Sequence, residues 1–178
     1  ALDDALIARP NDAALLFYRA QLTAGGGDAP GAIPFYARSA AAAAASHDGR
    51  TALETLGRLA SGQNRGSEAS GAGLAKDALS ELARRFPDHA GTFSALALSA
   101  LARGEEEGAR SLVSESLARN PRHPGAIQVQ GALALQDKNP ELALKLFTAA
   151  WEANPADLYS AERLSQLYMK QRSDPEAA

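Results

Sequence analysis

The chain has no cysteine, one tryptophan and one methionine in 178 residues. Without cysteine there are no disulfides, no thiolate nucleophile and no cysteine-built zinc site, and every redox compartment stays open. Aromatic residues make up only 6% of the chain, so the core has to come from close approach of small side chains. Bases do not outnumber acids: 18 Lys and Arg face 21 Asp and Glu, a formal net charge of −3. That gives no electrostatic case for nucleic-acid binding, which asks for a basic face. No apolar run approaches the ~20 residues a helix needs to span a bilayer, so membrane insertion by this segment is not expected. Catalytic signatures are missing too: no nucleophile elbow, no phosphate-binding loop, no H-E-x-x-H and no dinucleotide glycine fingerprint. Neither an enzyme nor a cofactor is expected.

What is abundant is alanine, within an ordinary globular usage of 46% hydrophobic and 22% charged residues. Arginine outnumbers lysine, a composition read as bacterial. The dominant pattern is a repeat. Pro87, Pro121 and Pro155 fall at intervals of 34 residues, and two ungapped copies of one unit run between them. In the second copy, Ile127, Gln130, Gly131 and Ala134 form one stripe of a helix. Asn139 and Pro140 follow as an N-cap and a first-turn proline. A second helix then carries Ala143, Leu144, Leu146, Phe147 and Ala150 inward, until Asn154 and Pro155 end it. The unit is a helix–turn–helix with a small residue on each helix where the pair must come close.

These residues resemble the tetratricopeptide repeat pattern W-x2-L-G-x2-Y…A-x3-F…P. The first copy reads Phe93-x2-Leu96-Ala97-x2-Ala100, Ala109-x3-Val113, Pro121. The second reads Ile127-x2-Gln130-Gly131-x2-Ala134, Ala143-x3-Phe147, Pro155. No tryptophan holds the first position, and Gln130 departs from the leucine. The resemblance implies an all-α fold, a right-handed superhelical array of antiparallel helix hairpins, or α-solenoid.

The other repeats follow the same frame. Residues 1–10 match the tail of a second helix through Leu2, Leu6 and Arg9-Pro10. Residues 11–46 form a repeat capped by Asn11-Asp12, with Leu16, Arg19, Ala20 and Thr23 on the first helix and Ala32-x3-Tyr36 on the second, running on through Ala45. Residues 50–87 form another, with Thr51-x2-Glu54 as a capping box and Leu53, Leu56, Gly57 and Ala60 as the stripe. Gly57 and Pro87 are 30 apart where Ala97 and Pro121 are 24 apart, so the turn holds six extra residues, a Gly- and Ser-rich loop over 61–73. Regular repeats fill 90–121 and 124–155. Residues 157–178 begin another, capped by Asp157, with Asp174-Pro175-Glu176 opening its second helix. The unmated first helix and the unfinished last repeat read as a segment of a longer chain.

His89 and His123, 34 residues apart, occupy the same turn of consecutive repeats. Neither has a second ligand at zinc spacing, so a recurring polar turn residue is expected rather than a metal site. Glu105, Glu106 and Glu107 read as acids complementing a helix N-terminus.

Stacked hairpins curve, and the resemblance implies that the first helices line a concave face taking an extended peptide or a partner helix. Carried over position by position, that face holds Phe17, Tyr18 and Gln21, then Glu54 and Arg58, then Ser94, Leu98 and Leu101, then Gln128 and Leu135, and last Tyr159, Glu162, Arg163, Gln166 and Lys170. The set a chaperone-docking carboxylate clamp would require is missing: Arg58, Arg163 and Lys170 are the only bases of this face, and Arg58 sits in a different repeat from the other two. The expected function is a protein-interaction scaffold in a bacterial envelope, secretion or exopolysaccharide-export assembly, periplasmic rather than cytoplasmic. Self-association through open solenoid ends, and a regulatory arm of an enzyme whose catalytic domain lies elsewhere, are the alternatives. Direct polysaccharide binding would draw on Phe17, Tyr18 and Tyr159 as stacking platforms.

Overall fold

The computed structural model describes residues 2–43, 46–62, 71–155 and 157–173. Among them ten α-helices follow one another, with no strand. They are α1 Leu2–Ala8, α2 Ala13–Gly25, α3 Ala29–Ala43, α4 His47–Ala60, α5 Ala72–Arg85, α6 Ala90–Ala102, α7 Glu106–Arg119, α8 Pro124–Gln136, α9 Pro140–Ala153 and α10 Leu158–Ser173. The pairs α2/α3, α4/α5, α6/α7 and α8/α9 form hairpins. The first helices α2, α4, α6 and α8 also pack on one another in series, whereas α3 and α5 meet directly among the second helices. The first helices are therefore the crowded inner layer, which fixes the side toward which the stack curves.

Side chains before several helices satisfy amide groups that the helix itself leaves unpaired. Asp12 accepts from the Leu15 amide at 3.1 Å, and Asn139 from the Leu142 amide at 3.0 Å. His123 Nδ1 accepts from the Ala126 amide at 3.4 Å, and Asp157 from the Ser160 amide at 3.3 Å. One expected cap is corrected. Thr51 and Glu54 do not open α4, because Ser46 accepts from the Gly49 amide at 3.1 Å and starts the helix a turn earlier. Thr51 is inside the helix, its hydroxyl donating to the His47 carbonyl at 2.9 Å. Glu105 precedes α7, but its carboxylate pairs with Arg103 at 2.9 Å instead of capping amides. The end of the alanine run at Ala44 and Ala45, residues 63–70 of the long loop, and the helix start expected at Asp174–Glu176 lie outside the described residues.

Three of the hairpin turns, α2/α3, α6/α7 and α8/α9, share one design. Gly27, Gly104 and Lys138 have positive φ values of 91°, 76° and 57°. The amide after each reaches back to the preceding helix: Asp28 to Thr23 at 3.2 Å, Glu105 to Ala100 and Asn139 to Ala134 at 2.9 Å. This is the Schellman closure, in which a left-handed residue turns the chain out of a helix while satisfying a carbonyl. Glycine adopts it freely. Gly104 and Lys138 are one 34-residue period apart, so Lys138 stands where the preceding repeat has glycine.

Small residues set the helix spacing. A Cβ on Gly57 would lie 3.0 Å from the Ala95 carbonyl oxygen of α6, and one on Gly131 3.1 Å from the Phe147 ring of α9. Ala20 and Ala97 are buried at the matching positions. Around these contacts run three apolar clusters, centred on Leu56 and Leu79, on Val129 and Val113, and on Phe147. Serines on the inward side of two second helices tie the α2/α3 and α6/α7 hairpins shut. Ser39 donates to the Ala13 carbonyl and Ser116 to the Ala90 carbonyl, both at 2.8 Å and both fully buried. Between repeats, Arg103 at the end of α6 donates to the Ala60 carbonyl at the end of α4, at 3.0 Å.

Gly131→Leu is expected to drive α8 from α9 and lower stability by ~1–3 kcal/mol or more, since overpacking a filled site forces backbone shifts. Thermal melts followed by circular dichroism measure it; an unchanged midpoint would refute the close-approach argument. Ser116→Ala should cost about 1 kcal/mol, because the buried Ala90 carbonyl loses that donor.

Candidate functional site

The inner layer does not present all its expected residues equally. Phe17 is buried, edge-on to Tyr36 with ring centroids 5.8 Å apart. Ser94 is buried too, where a Cβ on Gly125 would come within 2.6 Å of its hydroxyl. Both were expected on the open face. They are covered because neighbouring elements close over them: the second helix α3 over Phe17, and the start of α8 over Ser94. Leu98, Leu101, Gln128 and Leu135 are half-buried. Tyr18, Gln21, Glu54, Arg58, Glu162, Gln166 and Lys170 are exposed, with Tyr18 at 62% the most open large aromatic of the set.

The curvature brings charges from distant repeats together. The Glu54 carboxyl on α4 is raised above the ordinary glutamate value, first by burial and then by the Asp157 carboxylate at the start of α10; Arg58, Arg50 and His47 oppose the shift. The Glu54 side chain touches solvent, but the surrounding inner layer limits its hydration. Gln128 bridges toward the same point, its amide 3.5 Å from Asp157. At the same edge stands a histidine pair that the 34-residue spacing had placed in equivalent turns. A Cβ on Gly91 would lie 2.9 Å from His89 and 3.4 Å from His123. Burial, then His89 and Arg50, push His123 down from 6.5 to about 4. Its ring is thus neutral, as its role in accepting from the Ala126 amide requires. Among the described residues no three metal-binding side chains converge.

Toward the other end, residues from the expected set meet around one cavity. Leu135, Arg163, Gln166 and Lys170 line it with Lys138, Pro140 and Leu167, enclosing about 460 Å³. It opens where the inner layer parts, since α10 packs on α9 while α8 turns away at Lys138. Arg163 donates to Gln166 at 2.9 Å and lies 4.8 Å from the centre of the Tyr159 ring. Tyr159 in turn stands edge-on to Phe147 at 6.2 Å. The cavity wall is thereby braced against the core. Lys138, Pro140 and Leu167 were missing from the expected set; the first two lie on a turn and a second helix, and only the left-handed turn position would have drawn attention to Lys138.

No family model matches this chain, and no curated protein sequence matches it. Solved structures do. A thermophilic tetratricopeptide repeat protein of Thermus thermophilus, TTC0263, is similar at a TM-score of 0.59 and 20% identity, over 94% of this chain and 87% of that one. The tetratricopeptide repeat domain of P58(IPK) is similar at a TM-score of 0.42 and 16% identity, over 98% of this chain and 60% of that one. No described helix is long and apolar enough to cross a membrane.

The two shifted groups act oppositely on stability. The fold holds His123 below its unfolded value, so its contribution is complete above pH 6.5 and is lost as pH falls toward 4. The loss amounts to ~2–3 kcal/mol. His123→Asn, which keeps a cap acceptor, should flatten the fall in melting temperature across that window. Glu54 is held above its unfolded value, so its charged form weakens the fold near neutral pH and the penalty disappears in acid. Glu54→Gln should raise the neutral-pH melting temperature, with the gain vanishing on acidification. Parallel melting curves of the variants and the parent chain would refute either assignment.

Proposed function

Because the chain has the tetratricopeptide repeat fold, we propose that it is a protein-interaction scaffold whose concave face binds a peptide or helix of a partner protein. The supporting observation is the set of side chains that the first helices leave open on the inner layer. Second-helix residues such as Ala109, Val113, Ala143 and Phe147 are consumed by the core. The first helices are packed into the core too, yet they carry Tyr18, Gln21, Glu54, Arg58 and Gln166 exposed on the inner layer and end at a cavity. Half-buried Leu98, Leu101 and Leu135 form an apolar middle between polar ends, the anatomy of an interface with a dry centre and a wet rim. The setting we favour is a bacterial envelope or secretion assembly, exopolysaccharide export included. Its support is the resemblance and the arginine- and alanine-rich composition, and it argues for a periplasmic location. A second reading is self-association through α10, whose Leu158 and Tyr168 are exposed apolar side chains; a solution mass rising with concentration would favour it.

Affinity capture with the wild-type chain, a groove variant (Tyr18→Ala, Leu98→Glu) and an outer-surface variant (Lys145→Glu) tests the primary reading. Phe17 is left intact because it is core. A protein retained by the wild type and by Lys145→Glu, but lost by a groove variant that still melts cooperatively, is the expected result. Retention by all three would move binding off the concave face.

A further inference from the structure

The cavity between α8 and α10 is charged against the balance of the molecule. The chain as a whole carries more acids than bases, 21 against 18, yet the described residues that line the cavity include Lys138, Arg163 and Lys170 and no acid. Two acids next to lining residues are already partnered, Glu162 by the lining residue Gln166 itself. Asp137 receives Arg110 at 2.6 Å, and Glu162 receives Gln166 at 3.1 Å. Arg163 donates to Gln166, but its Nε is buried with no acceptor among the described residues. A buried guanidinium N–H without an acceptor is costly, so the Arg163 guanidinium gains by turning toward a ligand oxygen in the cavity that it lines.

The backbone of Lys138 supports the same conclusion. It holds the left-handed turn position that Gly27 and Gly104 fill in other hairpins. A side chain there costs about 1–2 kcal/mol relative to glycine. This hairpin, the one whose turn borders the cavity, accepts that cost and places an ammonium at the rim. Leu135, Leu167 and Pro140 make the rest of the lining apolar. A matching ligand therefore carries an anion and an apolar group side by side. The volume, about 460 Å³, is enough for two side chains.

Resting on the reading that the concave face binds a protein segment, we infer that this cavity receives an acidic side chain of that segment, paired with Lys138 and Arg163. An adjacent apolar side chain lies against Leu135 and Leu167. Charge complementarity selects the occupant: a neutral side chain can accept from Arg163 but leaves the charges of Lys138 and Arg163 unbalanced, and a basic one meets like charge.

Fluorescence anisotropy with three pools of short, labelled, C-terminally amidated peptides tests this. The pools share randomised flanks and differ only in a central Leu-Glu, Leu-Gln or Leu-Lys pair. The proteins are the wild-type chain, Lys138→Asn, Arg163→Gln and Leu98→Glu. Asparagine tolerates the left-handed turn, so Lys138→Asn removes charge without removing the fold; its melting curve confirms that. The expected result is a preference of roughly three- to fivefold for the Leu-Glu pool over Leu-Gln. That preference should shrink as salt rises and vanish in Lys138→Asn and Arg163→Gln, while Leu-Gln binding is unchanged. Equal binding of the Glu and Gln pools, or a preference that survives both variants, overturns the inference. If Leu98→Glu still weakens all pools in that case, the groove reading stands without it. Binding of no pool by any of the proteins overturns both.

Discussion

Where α4 crosses α6, a methyl group on Gly57 would stand 3.0 Å from a backbone carbonyl oxygen, and where α8 meets α9 one on Gly131 would touch the Phe147 ring. This permitted distance between helix axes governs everything else in the structure. With few aromatics and much alanine, the chain cannot fill wide gaps, so its helices must lie close, and a core built this way is dense but thin. Close spacing within hairpins lets Ser39 and Ser116 reach the carbonyls opposite. Close spacing between first helices, without an equal contact between second helices, forces the stack to bend. Curvature here follows from side-chain volume.

Bending then sets the electrostatics. Glu54 and Asp157 belong to repeats three apart, yet each lies within the other's field. His123 feels both His89 and Arg50 from preceding repeats. In a straight stack these groups would be separate and well hydrated. The inner layer instead holds a raised carboxyl and a neutral imidazole at one edge and a cationic cavity at the other. The cavity exists because the inner layer parts at the Lys138 turn, so even this opening is a consequence of helix spacing.

Much of this was legible in the sequence. The period of 34 residues, the A-x3-aromatic spacing and the capping residues Asp12, Asn139 and Asp157 placed the hairpins, because these are local signals with local causes. The start of α4 was misread: Thr51 and Glu54 have the spacing of a cap, but Ser46 captures an amide first, and spacing alone does not rank two competing caps. The site was less legible. Periodicity gives the face of a helix but not how deeply its neighbours cover it, so Phe17 and Ser94 were expected open and are buried. Nor does it show a gap between helices. Lys138 lies on a turn, outside any helical stripe, and its importance emerges from its left-handed backbone and the cavity beside it.

The concave face is chemically unequal along its length, and the inequality bears on how a segment would lie in it. Tyr18 and Gln21 mark one end, half-buried leucines the middle, and Lys138, Arg163 and Lys170 the other end. Apolar burial in the middle is non-directional: it rewards any segment of suitable hydrophobicity, in either orientation and several registers. Charge at one end is directional, because it penalises every placement that brings a basic or uncharged group to the cations. Affinity on such a surface would come mainly from the leucines, and orientation from the cavity. A left-handed lysine beside a half-buried arginine is a small structural outlay, and on the proposed reading it would give a face otherwise lined by interchangeable apolar residues a fixed end.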